Sequence, residues 1–402
     1  MPALYLDNAA STRIDDAVLA LMTEVMQTAW GNPSSQHPQG AAARDHIATA
    51  RRRLLAALGD SDGRLGDIVW TSGCTEADAL AVLGAARTRP GTIVTTAIEH
   101  AAVGVLAARL GESRGGTRIE PGADGVIDPD TVARAAEGAA VVAIVMVQNE
   151  IGVVQPVAAI ARAVRRANPT CHIHIDAAQA FGKVAIDVTA IGADSVAIAA
   201  HKLHGPKGIG ALWLRTGATL EPLWVGGGQQ GGLRGGTQDA PGAAGLGLAA
   251  ERAVATLPAT RAHWLELAGR ITARLRDRGV AFHQLVPDER RSPHILALGL
   301  AGVPASALRT VLASRGVYIS TGSACSERSE RSGPDVGPPG STTPGRNGQG
   351  KPSPVLLAIG LPPDTGMCRL SFGHDTTAAD VDAAADILAD VALELAARGA
   401  PR

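Results

Sequence analysis

Aromatic side chains are scarce: Trp, Tyr and Phe together make 2% of the 402 residues, so Ala, Val, Leu and Ile must fill any core. Cysteine is nearly as rare. Cys74, Cys171, Cys325 and Cys368 stand far apart with no Cys-x-x-Cys pair, which excludes a disulfide framework or zinc knuckle and leaves reduced thiols. An excess of charge is missing too: 37 basic against 38 acidic residues give a net charge of -1, no footprint for nucleic acid or an anionic membrane. The longest apolar run, Ala139 to Val147, is about half of what a membrane span needs, and the first ten residues show no leader pattern. A cytoplasmic protein is expected, with no nucleic-acid or membrane partner.

What is present is a core-forming composition, 46% hydrophobic and 19% charged, which excludes a disordered chain. The 48 Gly and 24 Pro point to many tight turns or close approaches of backbone to a ligand. A chain this long tends to divide into two domains.

Short β-branched runs (Asp67 to Thr71, Thr92 to Thr96, Val141 to Val147, His172 to Asp176, Ser195 to Ala199) alternate with Ala-rich segments of helical period. The helices are expected at Asp16 to Gln27, Gly40 to Leu58, Thr75 to Ala86, Val157 to Ala167 and Ala240 to Ala255. That alternation predicts an α/β fold with a mostly parallel sheet between helices. After Pro258 come a helix (Arg261 to Arg278), two strands (Ala281 to Leu285, Ile295 to Leu300), a helix (Ala305 to Ser314) and a terminal helix after Thr376, as in a smaller α+β domain. The expected division is an N-terminal segment 1–14 packing with the small domain, a large domain 15–257, and a small domain 258–402. Residues 326–353, dense in Ser, Gly, Pro and charge, read as a mobile surface loop. Within it, Gly345 to Lys351 fits G-x-x-x-x-G-K, but Pro352 replaces the required hydroxyl and no strand precedes it, so it is not read as a P-loop.

The chemistry concentrates at strand ends. Asp176 closes one buried strand, followed by Gln179; Lys202 follows the next, in His201-Lys202-Leu-His-Gly-Pro-Lys-Gly. An acid and a lysine at adjacent strand ends both face the crevice where open α/β sheets bind ligands. They are the two groups a pyridoxal phosphate site requires, an amine for the Schiff base and a carboxylate for the pyridine nitrogen. Trp70-Thr-Ser-Gly-Cys74-Thr75 leads from a strand into a helix, where free N–H groups and the Thr75 hydroxyl can hold a phosphate. His100 ends a further strand, suited to stacking or proton transfer, and Asn149 ends another, within reach of a substrate carboxylate.

With these motifs, and with Tyr5 to Thr12, Gly31-Asn32-Pro-Ser-Ser35 and Arg369 to Gly373, nearly the whole chain resembles the cysteine desulfurases of the nitrogen-fixation and iron–sulfur-cluster type. These belong to the class-V aminotransferases, pyridoxal phosphate fold type I. The resemblance implies that Lys202 forms the Schiff base, Asp176 pairs with the ring nitrogen, Gln179 contacts the ring hydroxyl and His100 stacks over the ring. It implies that Cys74, Thr75 and His201 surround the phosphate and that Thr237 of Arg234-Gly-Gly-Thr237 is supplied across a homodimer interface. Asn149, Arg369 and Asn32 would bind the substrate, Arg369 by a bidentate grip on the carboxylate. Cys325, in Ser320-Thr-Gly-Ser-Ala-Cys325-Ser, matches the family nucleophile.

The implied reaction removes sulfur from L-cysteine, leaving L-alanine and a persulfide on Cys325, with His100 handling protons and a sulfur-acceptor protein docking near 326–353. The departures from the family are Ala199, where a phosphate-binding serine is usual, Gln230-Gly231 in place of a Glu-Arg pair, and Cys74 where alanine is common. The rival readings are another class-V enzyme, a selenocysteine lyase or aminotransferase, and a non-catalytic sulfur-trafficking scaffold. No metal site is expected.

Overall fold

In the structure, a computed structural model, residues 3–322, 353–361 and 366–399 are described. The strands are β1 (Leu4–Tyr5), β2 (Gly66–Thr71), β3 (Thr92–Thr96), β4 (Gly116–Ile119), β5 (Ala139–Val145), β6 (His172–Asp176), β7 (Ser195–Ala199), β8 (Gly210–Arg215), β9 (Phe282–Gln284), β10 (Ile295–Leu300), β11 (Val317–Tyr318) and β12 (Gly366–Ser371). The first helices are α1 (Asp16–Thr28), α2 (Pro38–Ala57), α3 (Cys74–Thr88), α4 (Ala101–Arg114), α5 (Pro129–Ala135), α6 (Val157–Ala167) and α7 (Val188–Ile191). They are followed by α8 (Ala240–Asp277), α9 (Ala305–Ser314), α10 (Pro354–Ala358) and α11 (Ala378–Gly399).

Seven strands form the central sheet in the order β2-β8-β7-β6-β5-β3-β4. The pairs from β7 to β4 are parallel, and β8 runs antiparallel to both of its neighbours. Burial on both faces explains the sequence of β5, AAVVAIV, in which every residue is buried. One hydrophobic cluster joins α1, α2, α6 and the first half of α8 to one set of sheet side chains, and a second joins α3 and α4 to the other. The predicted α/β arrangement is therefore present.

A third cluster gathers the sheet β12-β10-β9 with the second half of α8, α9 and α11. Leu4 and Leu6 belong to it, and β1 pairs in parallel with β11, so the chain start packs against late sequence. Three arginines at four-residue spacing, Arg270 and Arg274 on α8 and Arg278 at its C-cap, meet Asp382, Asp386 and Asp390 at the same spacing on α11.

One expectation is corrected. The break at Pro258 is absent, and α8 runs as one 38-residue helix through it. Proline removes the bond to the carbonyl four residues earlier, that of Val254, which lies on an exposed stretch where water can take its place. Among the described residues no helix is long and apolar enough to cross a membrane.

Candidate active site

A cavity of about 520 Å³ opens at the carboxyl ends of the central strands. Its lining includes Cys74, Thr75, His100, Asn149, Asp176, Gln179, His201, Lys202 and Arg369, so the structure brings nine of the expected residues together. They arrive from several elements: Asp176 ends β6, His201 and Lys202 close the turn after β7, His100 caps α4, Cys74 and Thr75 open α3, and Arg369 lies within β12. This is the crevice that a parallel sheet leaves at its carboxyl edge.

Lys202 Nζ donates to the carbonyls of Ala9 at 2.6 Å and Ala10 at 2.9 Å. Burial first, then the Arg369 cation, pull its pKa down to about 8, so uncharged amine is accessible near neutrality. Asp176 takes both of its hydrogen bonds on Oδ1, from the Ala178 N–H at 2.8 Å and the Cys74 thiol at 3.6 Å; Oδ2 has no partner among the described residues. His100 Nδ1 accepts the Ala102 N–H at 3.2 Å, which places the proton of a neutral ring on Nε2. Burial lowers the His100 pKa and favours that neutral ring.

At the start of α3, Gly73 makes no side-chain cap, and a Cβ there would meet open space. Free helix N–H groups thus face the cavity beside the Thr75 hydroxyl. Gly210 backs this turn so closely that a Cβ on it would lie 2.6 Å from the Gly73 carbonyl carbon. His201 is pulled down to about 4 by burial and by Lys202, so it meets a ligand as a neutral ring.

Arg369 is buried. Its Nη1 donates to the Asn149 carbonyl at 2.7 Å and its Nη2 to Asp7 Oδ1 at 2.6 Å, while Nε is a buried donor with no partner. Such an orphan is costly unless a ligand satisfies it. Gln179 donates to the Ala9 carbonyl at 2.7 Å and meets His294 Nε2 at 3.2 Å through Oε1, which leaves its second amide hydrogen and the second lone pair of Oε1 for a ring hydroxyl.

Two expected residues stay away from the cavity in the single chain. Asn32 is exposed, its Oδ1 accepting the Ser34 N–H at 2.9 Å in a local turn, and Thr237 is exposed after the glycine-rich stretch 226–236. Cys325 and most of the 326–353 loop lie outside the described residues.

The structure adds residues that the sequence reading had not selected. Lys207 lines the cavity with Gly208; its sequence signal was its place five residues after Lys202. Asp78 also lines it, and buried Lys183 donates to the Lys202 carbonyl. The Gln230 departure has a structural reason: its amide makes both hydrogen bonds to the Trp70 backbone, 2.6 Å from N and 3.0 Å to O, on the edge strand β2. Ala199 lines the cavity with no hydroxyl to offer.

The chain matches the family described as aminotransferase class-V over residues 4–384. It is 36% identical to a cysteine desulfurase of Cereibacter sphaeroides, covering 99% of this chain and 97% of that protein. It is 35% identical to a cysteine desulfurase of Gluconacetobacter diazotrophicus, covering 98% and 94%. Among solved structures, a NifS-like protein superposes with a TM-score of 0.84 at 29% identity over 97% of this chain and 99% of that one. SspA in complex with cysteine does so with a TM-score of 0.75 at 30% identity over 92% and 98%. From β1 into α11, then, the chain belongs to the class-V aminotransferase family and groups with its cysteine desulfurases.

Proposed function

We propose that this protein is a cysteine desulfurase that holds pyridoxal phosphate in the cavity, takes L-cysteine as substrate and leaves L-alanine and a persulfide on Cys325. The observation that carries the reading is the convergence of Lys202, Asp176 and Arg369 on one cavity from three separate elements.

The residues present fit the cofactor. A poised amine, a carboxylate with a free oxygen, an uncapped helix start and an orphaned guanidinium donor are the complements of an aldehyde, a pyridine nitrogen, a phosphate and a substrate carboxylate. Lys202 would hold the ring covalently, Asp176 Oδ2 would hold the proton of its nitrogen, and Thr75, His201 and the α3 start would hold the phosphate. Lys207, which lines the same cavity as Ala199, would be a further group for the phosphate where the hydroxyl is missing. When bound, pyridoxal phosphate supplies an electron sink at the substrate Cα, which weakens the Cβ–S bond.

The chain's own residues do the rest. Arg369 Nε and the Asn149 side chain would orient the substrate carboxylate. His100 Nε2–H would donate a proton to the substrate, since Nδ1 is occupied by the Ala102 N–H. The Cys325 thiolate would attack the substrate sulfur: its S–H proton is lost, an S–S bond forms, and the Cβ–S bond breaks. Cβ gains the electron pair and a proton, so one cysteine and one protein thiol become one alanine and one persulfide.

Support for Cys325 comes from its anchor. Ser320 pairs with Arg369 through both backbone bonds, at 2.8 and 3.2 Å, and its hydroxyl donates to the Gly322 carbonyl at 2.7 Å. From Gly322 a three-residue span of at most about 11 Å leads to Cys325. Thr237 would serve the phosphate of a partner subunit in a homodimer.

Incubation with L-cysteine and a reductant should give alanine and sulfide in equal amounts for the native chain and neither for Cys325→Ala. Equal release from both proteins would end the persulfide reading and favour another class-V reaction.

A further inference from the structure

Asp176 has a carboxyl neighbour with no role in the steps above. Asp78 is buried on α3, and a carboxylate oxygen of Asp78, one of Asp176 and Cys74 Sγ all lie within 4.8 Å of one another. The Cys74 thiol is wedged between the acids, 3.6 Å from Asp176 Oδ1 and 3.9 Å from Asp78 Oδ1. From Asp78 a chain of contacts continues to His174 Nε2 at 3.1 Å, from His174 Nδ1 to Ser195 Oγ at 2.9 Å, and from Ser195 Oγ to His172 Nε2 at 2.8 Å. The sequence places these groups together. His172, His174 and Asp176 alternate along β6 and so share one face, and Ser195 on β7 is the register partner of His174.

Two buried carboxylates at this separation do not both stay ionised; their donors decide which keeps the proton. Asp176 has the stronger set: the Ala178 N–H, the nearer side of the Cys74 thiol, and the field of Lys202. Asp78 has the His174 ring and the farther side of the same thiol, and the Glu99 carboxyl is the other acid that acts on it. Burial keeps His174 uncharged, with its pKa near 3, so that ring brings no cation to Asp78.

The geometry points to Asp78 as a positioning residue: a neutral hydrogen-bond partner, tied through His174 to Ser195, that leaves Asp176 the one carboxylate anion at the cavity floor. An anionic Asp78 would set a second negative charge beside the carboxylate that is to face the ring nitrogen. Burial, with Asp176 and Glu99 adding to it, raises the Asp78 pKa well above the carboxylate range, and Cys74 is pushed well up by the same surroundings and stays a thiol. This inference rests on the pyridoxal phosphate reading of the cavity.

The test compares the native protein with Asp78→Asn, an uncharged replacement of the same shape. In infrared difference spectra of the cofactor-free proteins at pH 7, the substitution should remove a protonated carboxyl C=O band; loss of ionised carboxylate bands instead would overturn the proposal. After loading with pyridoxal phosphate, the pH titration of the visible absorbance should move by less than about one pH unit. A larger displacement would show that Asp78 carries charge and would also overturn it. Should Asp78→Asn not fold, native protein labelled with carboxyl-13C aspartate serves: one aspartate carboxyl must be protonated at pH 7, and finding none is the contrary result. If the native protein takes up no pyridoxal phosphate, the cofactor reading fails, while the infrared result still reports on Asp78 separately.

Discussion

Lys202 Nζ sits 2.6 Å from the carbonyl oxygen of Ala9, so the amine proposed to carry the chemistry is held in place by the start of the chain. The partner is a neutral oxygen, not a carboxylate, and with burial and Arg369 acting together the amine titrates near pH 8. The rate at which the cofactor-free protein captures pyridoxal phosphate should therefore climb as the pH rises through 8 and then level. Arg369 lowers the Lys202 pKa, so Arg369→Met should move the climb to higher pH. Stopped-flow absorbance checks this, and superimposable profiles would contradict it.

Arg369→Lys keeps the charge and removes the fork. An ammonium cannot hold Asn149, Asp7 and a substrate carboxylate in the geometry of Nη1, Nη2 and Nε. Losing a charge-assisted bond worth about 1.5–3 kcal/mol should raise KM for cysteine by roughly tenfold or more. Steady-state kinetics decide it; an unchanged KM would place the substrate carboxylate elsewhere.

Gly210→Ala tests the proposed phosphate seat from behind. The new Cβ would meet the Gly73 backbone at 2.6 Å and the Ile198 carbonyl oxygen at 2.7 Å, and neither can rotate away. We expect a loss of about 1–3 kcal/mol in stability and weaker retention of the cofactor on dialysis, read by denaturant titration and residual absorbance.

Gln230→Glu would restore the acid usual at that place in the family, yet here it should harm. The Gln230 amide donates to the Trp70 carbonyl as well as accepting from its N–H, and a carboxylate would set an anion against that carbonyl. A cost of about 1–3 kcal/mol is expected, measurable as a lower denaturant midpoint; a neutral outcome would show that the edge of β2 does not depend on this cap.

Much of this was legible in the sequence because it rests on local pattern. β6 and β7 appear at the expected residues, as do α6 and α9, since continuous apolar runs and a 3.6-residue period survive in a parallel sheet with helices on its faces. Asp176, Lys202, His100 and Thr75 were readable for the same reason: each sits at the end of such a run. What escaped depends on distant contacts. The Arg369 grip on Asp7, the His294 contact with Gln179 and the Asp78 contact with His174 join residues with no periodic relation. Pro258 breaks the periodic pattern, yet the two halves of α8 are each fixed by packing, the first in the core under the central sheet and the second against α11, and this long-range packing carries the helix through the proline. Asn32 carries a recognisable motif, and in the single chain its side chain closes its own turn.

The central claim is that sulfur from L-cysteine passes to Cys325. The most direct measurement is peptide mass spectrometry of the pyridoxal phosphate-loaded protein after brief exposure to L-cysteine, without reductant and with alkylation. The account predicts one added sulfur atom on the peptide containing Cys325, absent in Lys202→Ala. Added sulfur on Cys74 instead, or none anywhere while alanine accumulates, would contradict it.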